Sequence, residues 1–341
     1  MAVVDEPDDE PEHATSNDSA DNNGTTRLIP TPLSSRRLVR RETSPVTTDD
    51  AAWFDATRRN ARSVQTTIGW IFWDPGAVER YAALGLPTPF AGPLGYMAAR
   101  CAPLAASGPD AVIAAFGSIS PTALRTLFTL VPEPKRFLEF WSARDDAVAE
   151  GLRRHAPAII EPLSELGPLL WPVVEALPLV GRTFFGAHLA MPRPADPLVS
   201  GWHAVNCLRE WRGDTHWALV VAEGLTHAEA SILHNAWLGY ETDWLPRSRG
   251  TSDADLEAGW AALEARGLAT DRTVNRHGVE LRQHLEDRTD HLTELPWRML
   301  GTERTRWFAE AFEPPCELLL ARVDLTAGPN YQPASRIRPP R

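Results

Sequence analysis

Between Trp202 and His216 the chain places two histidines, two arginines, a glutamate, an aspartate and two tryptophans in fifteen positions, a crowding of ionisable and aromatic side chains found nowhere else in it. Arginines grip carboxylate or phosphate groups through two parallel N–H donors, and a histidine near neutral pH moves protons. On a helix, the 100° step puts His203, Asn206 and Glu210 on one stripe and Trp202, Val205 and Arg209 on the next. Gly213 is placed to supply the positive φ that ends such a helix, and Asp214 then caps the helix carrying His216 and Trp217. The stretch reads as helix, glycine turn, helix. Its chemistry is that of a pocket for a small molecule, with or without catalysis.

The elements that must hold this stretch come from a chain of 341 residues, 43% hydrophobic, which is enough for two structural halves with sizeable cores. Of the net charge of −11, eight negatives fall before Arg27, so the remainder is close to neutral and shows no general attraction to nucleic acid. Cys101, Cys207 and Cys316 are far apart and odd in number, which suggests neither disulfides nor a zinc knuckle and implies a reducing cytoplasm. No secretory signal or membrane-spanning run is present. Lys135 is the only lysine beside many arginines, a bias expected of a GC-rich genome.

Residues 1–50 are acidic, then rich in Arg, Ser, Thr and Pro with Arg36, Arg37, Arg40 and Arg41 together, and are expected to be disordered. Residues 51–155 read as a helical half without a convincing strand. Asp74-Pro75 is a helix start, and helices are expected to Leu84, over Gly92–Leu104, Ser107–Phe116, Pro121–Leu130 and Phe137–His155. Residues 156–197 are proline-rich but too apolar for a free linker, and are expected to pack as short helices. Residues 198–312 form a second half: the Trp202 helix, a helix from His227, a capped helix through Leu256, Trp260 and Leu263, a β-wing within Ala269–Gly278, and a closing helix over Val279–Leu295. Residues 313–341 are an extension, loose after about 333. An offset of 139 residues lays Tyr81-Ala82-Ala83-Leu84-Gly85-Leu86 on Val220-Val221-Ala222-Glu223-Gly224-Leu225, a faint repeat consistent with two related halves. The expected fold is mainly α: two winged-helix-like halves with a short β-wing in the second.

The phrase Leu263-Glu264-Ala265-Arg266-Gly267-Leu268, followed by Arg276-His277-Gly278-Val279-Glu280-Leu281, is similar to the segment from recognition helix to wing of MarR-type regulators. Gly95-Tyr96-Met97-Ala98-Ala99-Arg100-Cys101-Ala102-Pro103-Leu104, the Trp202–His216 stretch, Leu233-His234 and Pro296-Trp297 together resemble the SalK-like winged helix-turn-helix family of actinobacteria, over roughly residues 58–312. The resemblance implies a helix-turn-helix scaffold and no particular activity. It departs where that family carries an aromatic run and this chain has Ala115-Phe116-Gly117-Ser118-Ile119-Ser120-Pro121.

Three functions follow as expectations. The first is a small-molecule site, with or without catalysis, whose candidates are Tyr96, Arg100, His203, Asn206, Arg209, Glu210, Arg212, Asp214, His216 and His234. The second is a DNA-binding regulator touching phosphates and bases through Arg247, Arg249, Arg272 and Arg276. Against it, the recognition helix carries Asp253, Asp255, Glu257 and Glu264 and only Arg266 as a base. The third is an interaction or scaffold protein in which Arg209 or Arg212 pairs with Glu210 or Asp214 as an ion-pair lock, because buried charges need partners. No HExxH, nucleotide-binding or GxSxG motif is present, and no metal or cofactor is expected. A small molecule is the expected partner, with DNA and a homodimer left open and no membrane.

Overall fold

The computed structural model describes residues 48–328, so the acidic tail, the Arg36–Arg41 cluster and the end after residue 333 lie outside the described residues. Regular structure begins with α1 (Thr48–Gly69) and a 3-10 turn burying Trp70 and Ile71. Asp74 then opens α2 (Pro75–Ala83): its carboxylate accepts from the amides of Gly76 and Ala77, and Pro75 takes the first helical position, where no N–H is needed. α3 (Ala91–Cys101), α4 (Pro109–Ala115), α5 (Pro121–Leu130) and α6 (Pro134–His155) complete the first run.

α7 (Ile160–Glu175) is longer than the short helices expected here, although Pro168 and Pro172 lie inside it. An internal proline costs about 3 kcal/mol, and burial of Leu163, Leu166, Leu170, Trp171 and Val174 on this helix offsets it. α8 (Thr183–Leu189) follows, and then α9 (Pro197–Ala222), against which α7 packs most extensively.

α9 corrects the expected helix–turn–helix of the Trp202–His216 stretch. It runs unbroken through Gly213, which does not adopt a positive φ. A glycine followed by an aspartate resembles a cap locally, but here neighbours cover the helix on most sides and tertiary burial overrides the local signal.

α10 (His227–Trp237) starts from a reciprocal cap between Thr226 and Glu229, α11 (Trp244–Ser248) is one short turn, and Ser252 caps α12 (Asp253–Ala265). β1 (Ala269–Thr270) pairs antiparallel with β2 (Thr273–Val274), Ala269 opposite Val274. The two turn residues, Asp271 and Arg272, have φ of 47° and 53° as a tight hairpin requires. The wing is shorter than expected, because Asn275 accepts from the Gly278 amide and starts α13 (Arg276–Leu292). Arg276 and His277 therefore sit on a helix and not on the wing.

After α14 (Leu295–Leu300), α15 (Thr302–Thr326) returns along α1, so the expected boundary at 312 falls inside a helix. The structure is mainly helical with one two-stranded sheet among the described residues, and residues 51–155 contain no strand. One core runs from Val64 to Val323 through both expected halves, while a second joins Leu219, Leu225, Ile232, Leu233, Leu256, Leu263 and Leu285. The break between cores falls within α9 near residue 217, not at 197. No helix among the described residues is long and apolar enough to cross a membrane, and the three cysteines are unpaired and buried.

Candidate functional site: an arginine-rich cavity

Where the two cores and a smaller cluster of Trp237, Leu238, Tyr240 and Leu245 meet, α1, α3, α9, α10, α11 and α13 line a half-open cavity of about 840 Å³. Its apolar wall includes Val64, Phe72, Met97, Phe116, Trp217, Leu233 and Trp237. One stripe of α9 faces it, Arg209, Arg212, Gly213, His216, Trp217 and Val220, together with Tyr96 and Arg100 from α3 and His234 from α10. The stripe facing the cavity is thus the 209–212–216–220 row, one step around the helix from the 203–206–210 row singled out by periodicity.

His203 and Asn206 do not reach the cavity. His203 is 1% exposed, its ring edge-on to Trp141 at 5.2 Å and tilted against Trp171 at 5.6 Å. Burial, then the Arg144 guanidinium, push its pKa down to about 3, so it is a neutral core ring. Asn206 is buried beside it on the same helix. Asp214 also faces elsewhere, accepting from the Phe185 amide at 2.8 Å and so capping α8 from the side of α9. Burial is the largest influence on it and holds its pKa at about 6, against the opposing effect of the Phe185 amide.

That raised value gives a test. A carboxyl that binds its proton more tightly when folded stabilises the fold below its unfolded value near 4, and the gain is lost as pH rises through 6. Asp214→Asn keeps the acceptor and removes the buried charge. Its stability relative to the parent protein is expected to be unchanged near pH 4 and higher by up to about 3 kcal/mol at pH 7.5. A melting-temperature difference constant across that range would refute the assignment.

Two ion-pair clusters frame the cavity. Glu210, 1% exposed, accepts two hydrogen bonds from Arg100, at 2.8 Å from Nε and 2.6 Å from Nη2, and a third from Arg209 Nη1 at 3.0 Å. Burial alone would raise its pKa, but Arg100 and Arg209 outweigh burial and hold it at about 2. The Arg100 guanidinium stacks over Phe116, 4.2 Å from the ring centre. Arg212 donates to Glu286 at 2.6 Å and to Asp290 at 2.7 Å, both on α13, and Arg282 forms an ion pair with the second Glu286 oxygen at 2.8 Å. Of the pairs expected for a lock within α9, Arg209–Glu210 is present, whereas Arg212 pairs across to α13 and not with Glu210 or Asp214.

Another lining arginine is Arg249, just past α11. It lines the cavity and donates no side-chain hydrogen bond to any described residue, and burial, then Arg282, push its pKa down to about 10. Its backbone is fixed: the Arg249 carbonyl accepts from the Ser120 amide at 3.0 Å, and the Gly250 carbonyl from the Ser120 hydroxyl. Arg282 Nη1 is also buried without an acceptor. The histidines are uncharged, His216 at about 3 through burial and then Arg282, and His234 well below the ordinary range through burial first and Arg282 second. Such rings act as hydrogen-bond partners at neutral pH more readily than as general bases.

Of the four arginines expected on DNA, Arg249 turns inward. Arg247 lines the cavity rim and donates to Asp253 at 2.9 Å, and Arg276 donates to Glu280 at 2.6 Å. Arg272 at the wing tip folds back onto α12: its amide donates to Glu264 at 2.9 Å, and its guanidinium meets Glu257 and Asp243. Asp253, Asp255, Glu257 and Glu264 are all exposed. Sequence reasoning missed Arg282, Glu286, Thr289 and Asp290. Their spacing on α13 resembles a solvated charged face, and only the buried Leu285 among them hints that this face turns inward.

The profile of a helix-turn-helix family matches residues 57–326. No curated protein matches the chain, and no solved structure does.

Proposed function

This chain belongs to that helix-turn-helix family, and from this premise we propose that it binds an anionic small molecule with an apolar body in the cavity between the two cores. The observation that carries the reading is Arg249. A half-buried guanidinium that hydrogen-bonds no carboxylate of the described residues, with the Arg282 charge near it, sets up an excess of positive charge that a ligand's carboxylate or phosphate neutralises. The volume lies within the range of drug-sized ligand sites, and the wall is mostly aromatic and aliphatic. The groups that line the cavity are guanidinium donors, neutral rings and apolar side chains, and they support a reading of binding. Residues 227–292 run helix, short turn of helix, helix, hairpin, helix, an order that suits a winged module, and in this reading a ligand wedges between that module and the helical body. Three unpaired cysteines fit a reducing compartment.

The test is Arg249→Met, which keeps the apolar stem and removes the charge. Its melting temperature is expected to be equal to or above that of the parent protein, because a half-buried charge that hydrogen-bonds no described carboxylate has been removed. Screened by thermal shift against aryl and alkyl carboxylates and phosphate monoesters, the parent protein gains about 3 kcal/mol at a hundredfold excess over Kd. Arg249→Met is expected to lose at least about tenfold in affinity, or roughly 1.4 kcal/mol. Undiminished binding in the variant would defeat the reading.

The family assignment also favours a second reading, in which α10 and α12 meet DNA. The four exposed carboxylates of α12 and the neutralised Arg272 oppose a polyanion at that face. Gel shifts with the protein's own upstream region at about 0.15 M salt are expected to show weak binding without sequence preference, unaltered by Arg276→Ala. A tight specific shift that this substitution abolishes would put the DNA reading first.

A further inference from the structure

We propose that the cavity selects anions that also carry a hydrogen-bond donor, a hydroxyl or an N–H, which the Nε2 atom of His216 accepts. The inference rests on the anion-binding reading above and specifies the ligand class for the same site.

The tautomer of His216 follows from its neighbour. Nδ1 lies 3.0 Å from the Thr289 hydroxyl oxygen, and that hydroxyl already donates its one proton to the Leu285 carbonyl at 2.7 Å. Thr289 therefore accepts from His216, and Nδ1 carries the ring proton. The ring is kept neutral by burial and by Arg282, with Arg212 and Arg249 also facing it, so Nε2 presents a bare lone pair. No described residue donates to Nε2. His216 lines the cavity, and Nε2 is not among the fully enclosed unpartnered atoms, so it opens onto that space. His234, from α10, adds a second neutral ring on the same wall without a hydrogen bond to any described residue.

Cation donors and a fixed acceptor thus share one apolar chamber. An anion without a donor group satisfies Arg249 but strips water from Nε2 and leaves it unpaired. Sites built to hydrogen-bond a ligand hydroxyl reject the analogue lacking it far more strongly than apolar pockets reject a missing methylene.

Matched acids test this: octanoate beside 2- and 3-hydroxyoctanoate, and 3-phenylpropanoate beside its 2- and 3-hydroxy derivatives, titrated calorimetrically into the full chain. In at least one pair the hydroxy acid is expected to bind about 10–100-fold more tightly than its parent. That ratio is expected to collapse towards one in His216→Phe. Thr289→Val removes the hydroxyl that fixes the tautomer without changing the side chain's shape, and is expected to reduce the ratio by severalfold even if His216→Phe folds poorly. Equal binding of parent and hydroxy acids, or a ratio that survives both substitutions, overturns this inference while leaving the anion reading in place if Arg249→Met still weakens every acid. Binding by none of the acids overturns both.

Discussion

Gly201→Ala is expected to be among the most damaging single-methyl additions in the molecule. A Cβ at Gly201 would lie 1.9 Å from the Leu163 carbonyl oxygen and 2.7 Å from its carbon, both backbone atoms of α7. On the facing helix, Gly167 makes the reciprocal approach, its own added Cβ falling 3.3 Å from the Gly201 Cα. No rotamer change relieves a clash with backbone, so α7 and α9 must separate and loosen the packing of Trp202, Leu163 and Leu166. Overpacking usually costs about 1–3 kcal/mol, and a backbone clash at a central crossing is expected at or above the top of that range, lowering Tm by roughly 10 °C. Gly213→Ala, in the same helix, should do the opposite. Its Cβ finds nothing nearer than Glu210 Oε2 at 3.8 Å, and replacing a mid-helix glycine by alanine gains up to about 1 kcal/mol. Thermal melts of the two variants check both signs, and a loss of stability in Gly213→Ala would show that α9 does break there.

That pair of glycines marks the reach of the sequence. The importance of the Trp202–His216 stretch was legible, because few segments gather so many charges and rings without packing them against something. Which glycine served which purpose was not legible. Gly213 beside Asp214 has the local chemistry of a cap, and Gly201 has no local signal at all, since its role is set by a carbonyl thirty-eight residues earlier. The same limit explains His203. Its stripe on α9 was correctly spaced, but whether a stripe meets a cavity or a core depends on what packs against it, here Trp141 of α6 and Trp171 of α7.

The charges misled in a similar way. Arg247 and Arg249 lie two residues apart in a basic loop, yet one meets Asp253 at the rim and the other turns inward, a division made by the Ser120 hydrogen bonds to the Arg249 and Gly250 carbonyls. On α15, Pro314-Pro315 lies inside the helix, and Phe308, Phe312, Cys316, Leu319 and Val323 form a continuous buried stripe across it. The boundary expected at 312 passed over that 3–4 spacing, and the burial of the stripe outweighs the local cost of the prolines. Helices with strong periods could be read from sequence. The inward-facing polar residues of α13 could not, because a buried salt-bridge network and a solvated face share one pattern.

Glu210→Ala separates a structural role of this network from a binding role, because the two readouts should move in opposite directions. Among the described residues, Glu210 is the carboxylate that hydrogen bonds join to Arg100 and Arg209, whose side chains are each 13% exposed. Removing it leaves two largely buried guanidinium groups without a counter-charge, a change that typically costs about 3–5 kcal/mol and would lower Tm by roughly 10 °C. Replacing Arg100 and Glu210 together by apolar residues should cost less than the sum of the single changes, by about 1–3 kcal/mol, since the paired charges leave as a unit. A pure lock predicts nothing more. In an anion site, however, Glu210 also offsets the positive charge of Arg100, and Arg100 in turn depresses the ionisation of Arg249 through space. Freeing Arg100 and Arg209 adds donors at the wall that a carboxylate can take up, so acid binding should tighten by about threefold to tenfold, up to roughly 1.4 kcal/mol, even as the fold weakens. Chemical denaturation for stability and titration with the tightest-binding acid for affinity read the two effects independently. Loss of stability with unchanged or weaker binding would assign Glu210 to structure alone and place the anion at the Arg249–Arg282 end of the cavity, out of reach of Arg100.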